Sequence, residues 1–231
     1  MLNENIDPAQ VTRRTVSRPG QSLFEVKKSK FIGYCRPVKT PEEANAFVDE
    51  IRKKHSDARH NVYAWILKKE IRMQKYSDDG EPSGTAGLPV MSVLEKNGIT
   101  DVAIVVTRYF GGILLGKGGL VRAYGKAAAL ALQDAVPIIL GRCAVYRFDI
   151  GYKESERVMF EFRNRGLEPV DIEYGAAVGF SLNVRLEEEE DFIRDVTEIL
   201  MGRDLPVRIG ELEAVIGRVD ASPDEDEEEE E

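Results

Sequence analysis

A chain of 231 residues with 42% hydrophobic residues and a mean hydropathy of -0.31 holds enough apolar material for one large or two small cores, and no apolar run of membrane-spanning length. Two cysteines (Cys35, Cys143) and two histidines (His55, His60) exclude a disulfide framework and a Cys/His zinc site, and the polar N-terminus lacks a secretory h-region, so a cytoplasmic protein is expected. The net charge of -9 argues against a polyanionic partner, but residues 1–142 carry 22 Lys and Arg against 15 Asp and Glu, residues 143–220 carry 10 against 18, and 224–231 are eight consecutive acids.

Residues 1–21 are polar without periodicity and read as a flexible arm. Short strands are expected at 23–26 and 31–34. Thr40-Pro41-Glu42-Glu43 is a capping box with proline at the first helical position. Ala44, Phe47, Val48 and Ile51 follow at i, i+3, i+4 and i+7, so 41–55 reads as an amphipathic helix. A strand centred on Trp65 is expected at 62–67, and a short helix at 86–96, stopped by Asn97-Gly98. Residues 102–107 are a continuous apolar run rich in β-branched residues, the pattern of a strand buried on both faces. The helix expected over 120–135 is apolar almost all round in 127–132, which places it in a core, and Pro137 marks its end.

The second half alternates more plainly. Ala144, Tyr146, Phe148 and Ile150 mark a strand. Val158, Met159 and Phe162 share one face of a helix that Gly166 closes. Val170, Ile172 and Tyr174 mark a second strand, and Val178, Phe180, Leu182, Val184 and Leu186 a third, joined at Gly175. Phe192, Ile193, Val196, Ile199 and Leu200 mark a helix stopped by Gly202, and a last strand covers 207–216. The order βαββαβ is ferredoxin-like. The fold class is therefore α+β. The expected division is an arm (1–21), a first domain (22–140), a ferredoxin-like domain (141–220) and a disordered acidic tail (221–231) that cannot bury enough apolar surface to fold.

The segment most loaded with chemistry is Tyr109-Phe110-Gly111-Gly112-Ile113-Leu114-Leu115-Gly116-Lys117-Gly118-Gly119. Glycines at 111, 112, 116, 118 and 119 let the main chain approach a ligand, and the helix that follows offers unpaired N–H groups and a positive dipole end. Arg108, Lys117, Arg122 and Lys126 surround it against Asp101 alone, and Tyr109, Phe110 and Tyr124 offer stacking surfaces. An anion site is expected on Arg108, Tyr109, Gly111, Gly112, Gly116, Lys117, Gly118, Gly119, Arg122 and Tyr124. The segment nearly spells a P-loop, but Gly118 stands where the hydroxyl that would bind Mg²⁺ is required.

A second dense stretch runs Ser77-Asp78-Asp79-Gly80-Glu81-Pro82-Ser83-Gly84-Thr85-Ala86-Gly87. Its carboxylates lack EF-hand spacing, and the plainer reading is a turn with Ser83 or Thr85 capping the next helix. The loop is nonetheless expected to line a binding surface through Asp78, Asp79, Glu81, Ser83 and Thr85, with His60 beside it. Ser83, His60 and Asp78 could be written as a hydrolase triad, but no nucleophile elbow is present. His55 ends a helix, where a cation suits the dipole.

With Lys30-Phe31-Ile32 and Ala58-Arg59-His60-Asn61-Val62-Tyr63-Ala64, these two stretches resemble the YigZ/Impact family over about residues 20–135. The second half resembles the extra domain of the family's bacterial members. The resemblance implies a small-ribosomal-subunit-protein-like β/α fold for the first domain, as in the fourth domain of elongation factor G, and a ferredoxin-like second domain. It implies surface roles for His60, Asp78, Asp79, Glu81, Ser83, Arg108, Tyr109, Gly111, Gly112, Gly116, Gly118, Gly119, Arg122 and Tyr124, with Lys117 at a variable position of the motif, and a link to translation, since eukaryotic Impact competes for the activator of a stress kinase. The expected function is a translation-linked binding protein that holds RNA or a ribosome-associated anionic partner. An enzyme acting on a nucleotide or phosphorylated small molecule, and a protein-interaction module of a stress-response pathway, are the alternatives. No catalytic residue, metal ligand, cofactor or membrane association is assigned.

Overall fold

The computed structural model describes residues 6, 8–68 and 71–219; the acidic tail expected at 221–231 lies outside the described residues. The presumed arm contains strand β1 (Val11–Val16) and the start of β2 (Gly20–Val26). Val11, Thr12, Thr15 and Val16 are β-branched, and β1 pairs along the long strand β7 (Pro137–Ile150). Partners distant in sequence, rather than periodicity, order this segment.

The remaining elements follow as β3 (Ser29–Pro37), α1 (Pro41–Lys54), β4 (His60–Lys68), β5 (Arg72–Ser77), α2 (Gly87–Lys96), β6 (Val102–Tyr109) and α3 (Gly116–Asp134). After β7 come α4 (Tyr152–Asn164), β8 (Val170–Tyr174), β9 (Val178–Arg185), α5 (Glu189–Ile199) and β10 (Val207–Arg218). By contacts the chain falls into two units. Arg13–Ile139 forms one, joined by residues 217–219, and Leu140–Ile216 forms the other, joined by the chain up to Thr12.

The larger unit carries a five-stranded sheet of order β2-β3-β6-β4-β5, its mapped pairs all antiparallel. Its central strands are buried on both faces. Val62, Ala64, Ile66, Val102, Ile104 and Val106 point into one core with α2 and α3. The alternate residues Tyr63, Trp65, Leu67, Ala103 and Val105 point into another with Phe47, Val48 and Ile51 of α1. A helical layer on each face explains why these antiparallel strands read as continuous apolar runs rather than alternating ones. Thr40 caps the helix as expected, its Oγ1 accepting from Glu43 N at 3.2 Å, but Glu43 Oε2 accepts at 2.7 Å from Lys39 N, one residue before the N-cap whose N–H a capping box would use.

In the smaller unit β10 lies on β7, β7 on β9 and β9 on β8. That order, 4-1-3-2 in chain terms, is the ferredoxin-like arrangement, with Phe148, Phe162, Phe180 and Phe192 at its centre.

Candidate functional site

The two dense stretches of sequence meet at the end of β6. Glu81, from the polar loop, is buried, and its Oε1 accepts from Arg108 Nη1 at 2.7 Å and from Tyr124 Oη at 2.8 Å. Arg108 is 7% exposed and Tyr124 fully buried. The guanidinium lies 5.5 Å from the ring centres of both Phe31 and Phe110, and the Phe31 ring meets the Tyr124 ring edge-on. Burial first, then the Glu81 charge and hydrogen bond, push the Tyr124 phenol far above its ordinary range, so it stays a donor. His60 pairs with Arg108 across β4 and β6, and its Nε2 stands 4.0 Å from Glu81 Oε1. Its Nδ1 lies 2.8 Å from the Asp79 carbonyl, which only accepts, so Nδ1 carries the proton.

This arrangement corrects the expected roles of Arg108, Tyr124 and Glu81. The resemblance placed all three on a surface, but the structure buries them as one hydrogen-bonded cluster. Arg108 therefore offers no open charge to a phosphate, and Tyr124 no face to a base. A buried guanidinium requires a carboxylate partner, which is why Glu81 is drawn in with it.

The rest of the loop is tied to neighbouring backbone and side chains, while Arg108 Nε is buried without a hydrogen-bond partner among the described residues. Asp78 Oδ1 accepts from Ala86 N at 3.0 Å and Gly87 N at 2.8 Å, and its Oδ2 from Gly84 N at 2.9 Å. Burial works against the charge, but these three amides prevail and hold the Asp78 carboxyl below its ordinary range. The first turn of α2 is thus capped by Asp78 and not by Ser83 or Thr85: Ser83 is exposed, and Thr85 Oγ1 donates to the Pro82 carbonyl at 2.7 Å. Asp79 Oδ1 accepts from Arg52 at 2.8 Å and its Oδ2 from Asn61 N at 2.7 Å. With both oxygens of Asp78 and Asp79 and Oε1 of Glu81 committed in this way, the three carboxylates brace the loop, and Asp78 is no member of a triad with Ser83.

Tyr109 points to the opposite face of the sheet from Arg108. Its hydroxyl donates to Asp57 Oδ1 at 2.8 Å and so accepts from His55 Nδ1 at 2.9 Å, which leaves His55 Nε2 to accept from Tyr34 Oη at 2.8 Å. Burial and the neighbouring Lys54, opposed by Asp57, hold the His55 imidazole below its ordinary range. His55 is thus a buried neutral link between two tyrosines and not the cation expected at the helix end.

The glycine-rich segment divides into two parts. Gly111 is structural: an added Cβ would lie 2.0 Å from the Lys28 carbonyl carbon, and its N–H donates to Ser29 Oγ at 3.1 Å. Gly112 (φ +85°) and Gly116 (φ +70°) turn the chain in open space. The helix starts at Gly116, four residues before the expected 120, so Lys117, Gly118 and Gly119 form its first turn. The N–H groups of a first turn have no intrahelical partner. No acidic side chain occupies that turn, and Leu115 at its N-cap offers no side-chain hydrogen bond. Lys117 and Lys126 are exposed, and Arg122 Nη1 lies 3.7 Å from the position a Gly118 Cβ would take.

The contact at Gly111 brings in two residues that the sequence reading missed. Lys27 and Lys28 form the turn between β2 and β3, both exposed, with φ of +46° and +62°. Two left-handed residues make a type I′ hairpin, which ordinarily selects Asn-Gly, so Lys-Lys gives no turn signal in the sequence. The turn lies against the glycine segment and adds two cations to it.

The chain matches the Impact N-terminal domain over residues 27–132 and a domain of unknown function, DUF1949, over residues 148–203. IMPACT family member YvyE of Bacillus subtilis is 36% identical over 198 residues, covering 86% of this chain and 91% of that protein. IMPACT family member YigZ of Escherichia coli is 47% identical over 118 residues, 50% of this chain and 58% of its own length. A crystal structure of a hypothetical protein superposes with a TM-score of 0.53 at 30% identity, covering 85% of this chain and 97% of that one. Two matched domains in the observed order, with a relative aligned along nearly its whole length, establish that the chain belongs to the Impact family.

Proposed function

We propose that this chain acts in translation control by holding RNA, or a ribosome-associated anionic partner, on the face that joins the Lys27-Lys28 turn to the first turns of α3. One observation carries the reading. The Lys27-Lys28 turn meets the glycine segment at Gly111, and that segment leads through open glycine backbone into a helix whose first turn holds a lysine and no acid. Amides and lysines in that arrangement bind phosphate by position and charge, without reading bases. Arg108, Tyr124 and Glu81 tie the end of β6 and the middle of α3 to the polar loop.

The test is the salt dependence of binding to a single-stranded RNA oligonucleotide. Replacing Lys27, Lys28 and Lys117 with Gln removes three phosphate contacts and lowers the slope of log affinity against log salt by about 2, at about 0.7 per contact. An unchanged slope in a folded triple variant would rule the face out. Retention of a protein partner after nuclease treatment, with no RNA affinity, would replace RNA by a protein ligand.

A further inference from the structure

The sheet face beneath α1 holds a cleft that neither the glycine segment nor the Glu81 cluster uses. Its volume is about 290 Å³, and it is bounded by the start of β2, the second half of β3, one side of α1 and the last residue of α3. The floor is apolar, since Tyr34, Phe47 and Ile51 line it and all three are buried. The Tyr34 hydroxyl is spent on His55 Nε2 at 2.8 Å, so this residue lends the cleft its ring.

The charged groups around that floor are paired unequally. Glu50 is clasped by both terminal nitrogens of Arg36, at 2.7 and 2.8 Å, and the Arg36 guanidinium lies 4.3 Å from the centre of the Phe47 ring. Asp134 accepts from Gln21 N at 2.9 Å and from Arg18 at 3.0 Å. The Arg36 hydrogen bonds at Glu50, and the Gln21 amide followed by Arg18 at Asp134, hold both carboxyls below their ordinary range, so they stay charged and committed. Lys54, on the rim, makes no ion pair among the described residues, because Glu50 one turn earlier is taken by Arg36. Its Nζ rests instead 4.6 Å from the centre of the Tyr34 ring. A ring face holds a cation less strongly than a carboxylate does.

We infer that this cleft binds a small organic carboxylate carrying one apolar ring, with the ring against Tyr34, Phe47 and Ile51 and the carboxylate on Lys54. Size, floor and charge each select. Ligand pockets run from about 300 to 1,000 Å³, so a cleft at the lower limit takes a single ring and not a large cofactor. A neutral ring leaves Lys54 without an anion, and an anion without a ring leaves the apolar floor unfilled. A cation would meet Lys54 while Glu50 and Asp134 are already bound. A dianionic phosphate would bring a second charge that one lysine does not balance. Lys54 and Tyr34 are no part of the face proposed for RNA, so the two readings stand or fall separately.

The test is a titration of the full chain with benzoate, followed by amide chemical shifts. Benzoate should shift Gln21, Tyr34, Arg36, Glu50 and Lys54 together and saturably. Benzamide keeps the ring without the charge, and acetate keeps the charge without the ring. Each should bind about tenfold more weakly, the worth of one charge-assisted hydrogen bond or of a few buried carbons. Lys54 is exposed, so Lys54→Gln should stay folded, lose benzoate affinity by the same factor and bind benzamide as before. No saturable shift, shifts centred on other residues, equal affinity for benzamide or acetate, or an unaltered benzoate affinity in Lys54→Gln would overturn the proposal.

Discussion

Glu81 and Arg108 show how a motif that looks like a solvent-facing site can instead be the fastening beneath one. Their side chains are 4% and 8% exposed and share a 2.7 Å contact. Removing one partner leaves the other charge buried and uncompensated, so Glu81→Ala should cost about 3–5 kcal/mol in urea unfolding. Replacing both, as Glu81→Leu with Arg108→Met, should cost far less than the single change, and a double variant as unstable as Glu81→Ala would contradict this account. His55 sets a different signature. Its imidazole is held neutral in the fold, whereas in the unfolded chain it takes a proton near its ordinary value of about 6.5. Proton uptake then favours the unfolded state, so this contribution to stability is intact above about pH 6.5 and is lost as pH falls through that value toward the lower folded value. Unfolding curves from pH 7.5 to 5 should show the decline, and His55→Gln should flatten it.

Gly111 and Gly125 differ in what an added Cβ would meet. Gly111 lets two backbones touch, and a Cβ there would overlap the Lys28 carbonyl, so Gly111→Ala should destabilise by about 1–3 kcal/mol and detach the lysine turn. Gly125, in the interior of α3, offers an added Cβ nothing within 4 Å, so Gly125→Ala should stabilise by about 0.5–1 kcal/mol. Thermal melts of the two variants should move in opposite directions. Most elements were legible in the sequence because period-2 and period-3.6 patterns survive in 102–107, in the first half of α1 and throughout the ferredoxin-like half. The failures share a cause. Strand β1 takes its order from β7, more than a hundred residues away, and exposed β5 has no buried face to impose alternation. The start of α3 was hidden because glycine is a poor helix former, and packing of the buried residues from Leu120 on, not local propensity, carries the helix. The candidate site was legible in its glycines and in Lys117, but Arg108 counted as a free charge because sequence spacing does not reveal that Glu81, 27 residues earlier, neutralises it.

The whole molecule keeps a basic surface within a chain of net charge -9. The pairing at Glu81 takes Arg108 out of that surface, and the Lys27-Lys28 turn returns two cations to it. What remains is the proposed patch, whose position would depend on three segments: the β2–β3 turn, the backbone at 111–116 and the first turns of α3. Amide chemical-shift mapping of the chain against a short single-stranded RNA at low salt tests this most directly. The account predicts the largest shifts at Lys27, Lys28, Gly112 and residues 116–118, reversed by added salt. Shifts confined to residues 143–216, or none at any concentration short of aggregation, would contradict it.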